Sequence, residues 1–297
     1  MTSPGTAHTA RTFPAERDTT VSLRCAGRTV GRYTYRPELP DRLSPRPYLH
    51  PLTTLGGTPV TAFMPDDHGH HLGVSMAVPD VDGRNFWGGR TYVPGQGPTE
   101  LDNHGVQTHR GWLLRDPDGF VEELSWRADG RELLRERRTV AVRLFADDCW
   151  ALDFTSAITN ASGRELSIGS PATNGRPGAG YGGFFWRTPA AAGQARVFTA
   201  DADGEDGVHG RTADWLALSG AGWTLVFAGA TGDTRADPWF VRTAEYAGVG
   251  SSLAWAHRLP IGQGETVTRR IATAVADGRL GRDEAASLVH RLTEGGV

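Results

Sequence analysis

Six of the ten histidines fall between His50 and His109: His50, His68, His70, His71, His104 and His109. Imidazole changes charge near neutrality and binds metals in its neutral form, so several imidazoles on convergent loops suit proton transfer or a divalent ion. The tightest group, His68-Gly69-His70-His71, follows the turn-forming run Pro65-Asp66-Asp67. An extended backbone there would put His68 and His70 on one face and His71 on the other. The spacing fits no fixed zinc motif such as HExxH. A metal held by His68, His70 and His104 is therefore one expectation, and metal-free acid–base chemistry is the other.

All 31 basic residues are arginine, with no lysine among them. That excludes a Schiff base, a pyridoxal-phosphate anchor and a Walker-A lysine. Electrophilic stabilisation must then come from Arg, protonated His, backbone N–H or a metal. The glycine-rich run Thr173 to Arg187 supplies Arg176, Tyr181 and Arg187, with backbone free to approach a ligand closely. Asn85-Phe86-Trp87-Gly88-Gly89 and Asp237-Pro238-Trp239-Phe240-Val241-Arg242 have the makeup of sugar-holding surfaces: rings for C–H faces, amides and guanidinium groups for hydroxyls. Asn85, Trp87 and Trp239 are the candidates there. Among the carboxylates Asp66, Asp67, Glu100, Asp102, Glu205, Asp237 and Glu245, the last stands beside an aromatic segment and is the candidate acid or base. No G-x-S-x-G elbow occurs, and Cys25 and Cys149 read as buried free thiols.

The elements that must position these groups read as strands. Residues 1–17 are small, polar and aperiodic, as in a loosely docked arm; beyond them the apolar pattern repeats every two residues. Turn-bounded runs predict strands over 20–25, 28–35, 58–63, 112–114, 121–126, 195–199, 215–219, 223–228, 252–259 and 266–274. The clearest hairpin joins 138–145 to 149–159 through Ala146-Asp147-Asp148. Only 282–292 reads as helical, with Ala285, Leu288, Val289 and Leu292 on one face. The sum is an all-β sandwich, a single domain over 18–297. A net charge of −3 argues against nucleic acid. The absence of an apolar run of about 18 residues argues against a membrane. The expectation is a cytoplasmic monomer or homodimer.

Several stretches taken together resemble the DUF6807 family, over roughly residues 45–278. They are Arg46-Pro-Tyr-Leu-His50-Pro51, Pro65 to Gly73, Asn85 to Gly89, His109-Arg-Gly-Trp112, Arg176 to Arg187 and Pro238 to Thr243. The resemblance implies a galactose-mutarotase-like β-supersandwich with a short C-terminal helix, working on carbohydrate. By analogy with mutarotase-like enzymes it implies His71, His109 and Glu245 as proton-moving residues. His50, Asn85, Trp87, Arg176, Tyr181, Arg187 and Trp239 would hold the sugar. The reading is a lyase or hydrolase acting on a glycoside or oxidised (keto) sugar, with a small-molecule sugar as partner and a divalent metal as optional cofactor. The family often carries a methane-oxygenase label, so a copper-dependent oxygenase is an alternative, as is a non-catalytic sugar-binding module.

Overall fold

The computed structural model describes residues 18–189 and 193–294. The arm expected over 1–17 lies outside them. Two antiparallel sheets carry most of the chain. The first has seven strands, in spatial order Thr20–Cys25, Arg28–Thr34, Tyr48–Leu52, Val74–Ala77, Gly183–Arg187, Gly248–Ser252 and Trp239–Arg242. The second has eight: Arg196–Phe198, Trp215–Gly220, Trp223–Gly229, Thr266–Asp277, Cys149–Asn160, Arg131–Ala146, Gly119–Ala128 and Val106–Asp116. The all-β expectation is met.

Alternation along single strands decides what each face does. In Gly183–Arg187, Phe184 and Trp186 enter the layer between the sheets, where their rings lie 5.4 Å from Phe154 and 5.5 Å from Phe227. Phe185 and Arg187 therefore point to the opposite face. Trp239–Arg242 repeats the pattern: Trp239 and Val241 join the inter-sheet core, while Phe240 and Arg242 face outward. The outer face of the eight-stranded sheet, rich in Ala272, Ala274 and Ala276, is covered by the helix Arg282–Glu294 through Ala285 and Leu292. Cys25 and Cys149 are buried and free, as expected.

Four expectations need correction. Residues 58–63 make only isolated bridges, Thr53 to Pro59 and Phe63 to Leu72, because Pro59 has no N–H to give a ladder. Residues 252–259 are not one strand: Gly248–Ser252 and Leu259–Ile261 flank a loop whose Leu253 and Ala254 are buried by packing, so an apolar run mimicked pairing. The long hairpin strand begins at Arg131, not 138; its charged start, Arg131 to Arg137, hid six paired positions. Besides the C-terminal helix there are single helical turns at Gly204–Val208 and Gly232–Ala236, the latter capped where Thr234 N donates to Thr231 Oγ1 at 3.2 Å. Among the described residues no helix is long and apolar enough to cross a membrane.

Candidate functional site

The outward residues of the two strands just described, Phe185 and Phe240, join Trp87, Tyr246 and Ala77 in a small apolar cluster on the outer face of the seven-stranded sheet. A cavity of about 360 Å³ opens over it. Trp87 packs its ring 5.0 Å from Phe185 and 4.7 Å from Tyr181, so one wall is aromatic.

The histidine run forms the facing wall, and it is not extended. His68 N donates to Pro65 O and His71 N to His68 O, each at 2.9 Å, which makes two successive turns. All three imidazoles consequently gather on the cavity. His68 stacks on His71 with centroids 4.5 Å apart, and His70 meets His71 edge-on at 4.8 Å.

Arg46 fixes this turn from beneath. Its fully buried guanidinium donates to the carbonyls of Leu43, Ser44, Trp87 and His70 at 2.7–3.2 Å, while Nε donates to Ser75 Oγ at 3.1 Å. The planar fork thus ties the histidine turn to the Trp87 loop. Asn85 shapes that loop, its Oδ1 accepting from Trp87 N at 2.8 Å and Gly88 N at 2.9 Å. Gly88 and Gly89 have φ of +99° and +68°, and a Cβ on either would lie 2.9 Å from an atom of His70. The close approach of the imidazole requires glycine there.

Charge is arranged behind the rings. Arg187 donates bidentately to Asp67 at 3.0 and 3.1 Å, and its Nη1 reaches His71 Nδ1 at 3.3 Å. Burial raises the Asp67 carboxyl, but hydrogen bonds from His68 and Arg187 outweigh it and hold the group below its ordinary range. Burial first, then the neighbouring imidazoles and Arg187, pushes His71 well below its usual value. Burial and the Arg46 charge take His70 down to about 3. Both imidazoles are neutral at pH 7. A guanidinium can only donate, so His71 Nδ1 carries the lone pair and the ring proton sits on Nε2. His71 Nε2 and both ring nitrogens of His70 make no hydrogen bond to protein among the described residues.

The remaining wall comes from Arg242 and the loop after it. Arg242 Nη1 pairs with Glu205 at 3.2 Å, and Glu205 Oε2 accepts from Thr243 N at 2.6 Å and Ala244 N at 3.0 Å. This anchors the segment that brings Tyr246 under the cavity and sets Glu245, exposed, on its rim. Arg176 is also exposed at the rim, where its charge opposes the rise that burial gives the half-buried Tyr181 hydroxyl.

Of the expected site residues, His68, His70, His71, Trp87, Arg176, Tyr181 and Glu245 line the cavity, and Arg187 stands behind His71. Five are elsewhere. His109 lies in the inter-sheet core, its Nδ1 2.6 Å from Glu122, because it pairs across the ladder with inward-facing Leu124. Trp239 is inward too, giving its indole N–H to Ala213 O. Asn85 is buried as a turn former. His50 stacks on Phe63 and bonds Thr61. His104 turns to Gly89 O at 2.8 Å and lines another cleft. Among the described residues no group of three His, Cys, Asp or Glu is set to hold a metal ion. The stacked His68 and His71, with ring planes 14° apart, cannot aim lone pairs at one ion. The residues present do not fit the expected metal, copper included. Arg46, Tyr246, Arg242 and His209 were not picked out as site residues; the period-two alternation of Trp239 to Arg242 was the available signal for Arg242.

A family model described as a family of unknown function matches residues 20–290. The chain belongs to the DUF6807 family. No curated protein matches it by sequence. Among solved structures this DUF6807 member is loosely similar to a galactose mutarotase related enzyme from Lactobacillus acidophilus, with TM-score 0.40 and 9% identity, covering 89% of this chain and 99% of that one. It is also similar to a polysaccharide lyase, with TM-score 0.40, 10% identity and coverage of 87% and 34%. A heparan sulfate lyase mutant from Pedobacter heparinus gives 0.37, 10%, 84% and 34%. The chain spans about a third of the length of these two lyases. At such values no argument about reaction rests on them.

Proposed function

We propose that this DUF6807 protein is a carbohydrate-active enzyme that moves protons on a keto sugar or its glycoside, with elimination favoured over hydrolysis. One observation carries the reading: Arg187 holds His71 as a neutral imidazole with its N–H on Nε2, beside a second neutral imidazole, His70, whose ring nitrogens have no hydrogen-bond partner among the described residues. A neutral imidazole donor can hydrogen-bond a carbonyl oxygen and stabilise the enolate that forms when a neighbouring base takes the α-proton. His70 is that base, its low proton affinity offset by the enolate charge that develops beside it. It takes the proton, the electron pair moves onto the carbonyl oxygen held by His71, and its return expels the β-oxygen, which takes the proton back from His70 and leaves as a hydroxyl group toward the open rim. Trp87 and Tyr181 supply the faces against which a sugar ring packs. His71, its lone pair engaged by Arg187, serves as the donor and not as a second base.

The test is turnover of a methyl keto-glucoside in D2O, followed by mass spectrometry. His70→Ala and His71→Ala should each lower kcat by about 100-fold or more, with the fold intact by circular dichroism. Loss of His70 should also abolish deuterium uptake at the α-carbon. Wild-type rates in both variants would sink the proposal. Saturable binding without product, unaltered by His71→Ala, would make the protein a sugar-binding module instead.

A further inference from the structure

A second cleft, of about 430 Å³, adjoins the first: Arg242 and Glu245 line both. Its far side is Gly178, Glu205, Asp206, His209 and Ala244. The wall between the clefts is rigidly built. Glu205 engages both oxygens, Oε1 with Arg242 and Oε2 with the Thr243 and Ala244 amides. His209 is held at both nitrogens, Nε2 donating to Gly178 O at 2.8 Å and Nδ1 accepting from Val241 N at 3.1 Å. Arg242 Nη2 reaches Gly178 O at 3.3 Å, and Nη1 meets Glu205 and Val241 O. Arg242 Nη1 is thus fully engaged and its charge is paired with Glu205, while Nε and one Nη2 proton have no partner among the described residues. The exposed carboxylates of Asp206 and Glu245 remain, and neither forms an ion pair among the described residues.

We infer that the second cleft is a binding subsite for an uncharged sugar unit joined to the ring in the first cleft, so that the ligand bridges the Arg242–Glu245 divide. Two adjoining cavities that share the Arg242–Glu245 wall set the minimum length at two units. The lining sets the class: hydroxyl groups give hydrogen bonds to Asp206 and Glu245 and accept from the remaining Arg242 protons, whereas a uronate or sulfate brought there meets three carboxylates, Glu205, Asp206 and Glu245, against one guanidinium already paired with Glu205. No aromatic platform lines this cleft, which disfavours an aryl aglycone. This inference rests on the keto-sugar reading for the identity of the first ring, and its test separates the two.

Isothermal calorimetry on the whole protein would compare a methyl keto-glucoside with keto-disaccharides carrying a glucosyl or a glucuronosyl unit, in both anomers. The glucosyl disaccharide should bind at least tenfold tighter than the methyl glucoside, and the glucuronosyl one no tighter than it. Ala244→Phe, which fills the second cleft, should bring the glucosyl-to-methyl ratio near one; Asp206→Leu should reduce it without altering the loop backbone. Equal binding of the methyl and glucosyl ligands, preference for the glucuronosyl ligand, or a ratio untouched by both variants would overturn the subsite. Turnover of the methyl keto-glucoside with no gain for the disaccharide would remove the subsite and leave the acid–base reading standing. A disaccharide gain without turnover would do the reverse.

Discussion

Arg187 decides what His71 can do, because a guanidinium has protons to give and none to take. With His68, the same residue holds the Asp67 carboxyl below its ordinary range, so one side chain bears on two others. The neutral imidazoles have a measurable consequence. Folded His70 stays neutral to about pH 3, whereas an unfolded histidine takes up a proton below about 6.5. Between those limits the unfolded chain binds more protons. The contribution of His70 to stability is therefore whole above about 6.5 and is lost as pH falls toward 3. His71, His50 and His209 shift in the same direction and steepen the same limb. Asp67, held low, acts only below the ordinary carboxylate range, whereas Glu122 and Asp237, raised by burial, act above theirs with the opposite sign, so the histidine part is read from the difference between variant and wild type. Thermal melts from pH 7 to 4 should show a shallower loss in His70→Gln than in wild type; parallel curves would contradict the burial-driven shift.

At the level of elements, the site is a junction between a turn, a loop and two strand faces. The Gly88-Gly89 step lets the loop pass under His70. Gly88→Ala would set a Cβ 2.6 Å from Leu43 O on backbone with φ of +99°, which should destabilise the fold by about 2 kcal/mol in chemical denaturation. Gly89→Ala meets the imidazole of His70, the movable end of a side chain, and should reduce turnover more than stability. Similar losses in both variants would refute this distinction. Sequence periodicity found the strands that alternate cleanly, such as Thr20–Cys25 and the 149–159 arm, since period two is what one buried face imposes. It missed Gly183–Arg187, which is buried at every position and offers no polar phase to read, whereas the equally buried Trp215–Gly220 and Trp223–Gly229 were legible as turn-bounded apolar runs. The histidine cluster was legible as composition, yet its convergence depends on two i to i+3 turns that residue types alone do not specify. His109 looked equivalent to His71 in sequence; its register opposite Leu124 sends it to the other side of the sheet.

Across the whole molecule, the two sheets are joined by a buried polar network as well as by apolar packing. Tyr33 from the seven-stranded sheet donates to Glu122 in the eight-stranded one, and His109 and Arg138 complete the group. Arg138 is wholly buried, bonded twice to Glu136 at 2.8 Å and once to Gln107, which in turn reaches Met76 O. Removing one partner of such a pair strands a charge, so Arg138→Met should cost about 3–5 kcal/mol in denaturant unfolding. His109→Ala should lower the melting temperature yet keep kcat within about twofold; a large loss of kcat would return His109 to the chemistry. The two outer faces of the sandwich differ in a way that has a practical use. One carries the cavity, and the other lies under the helix Arg282–Glu294, on which Ala286 is exposed. Since the chain has no lysine, Ala286→Lys would create its single side-chain amine, on the face opposite the cavity. With the α-amino group blocked, amine coupling through that position would attach every molecule to a sensor surface in one orientation, with the cavity toward the flowing solution.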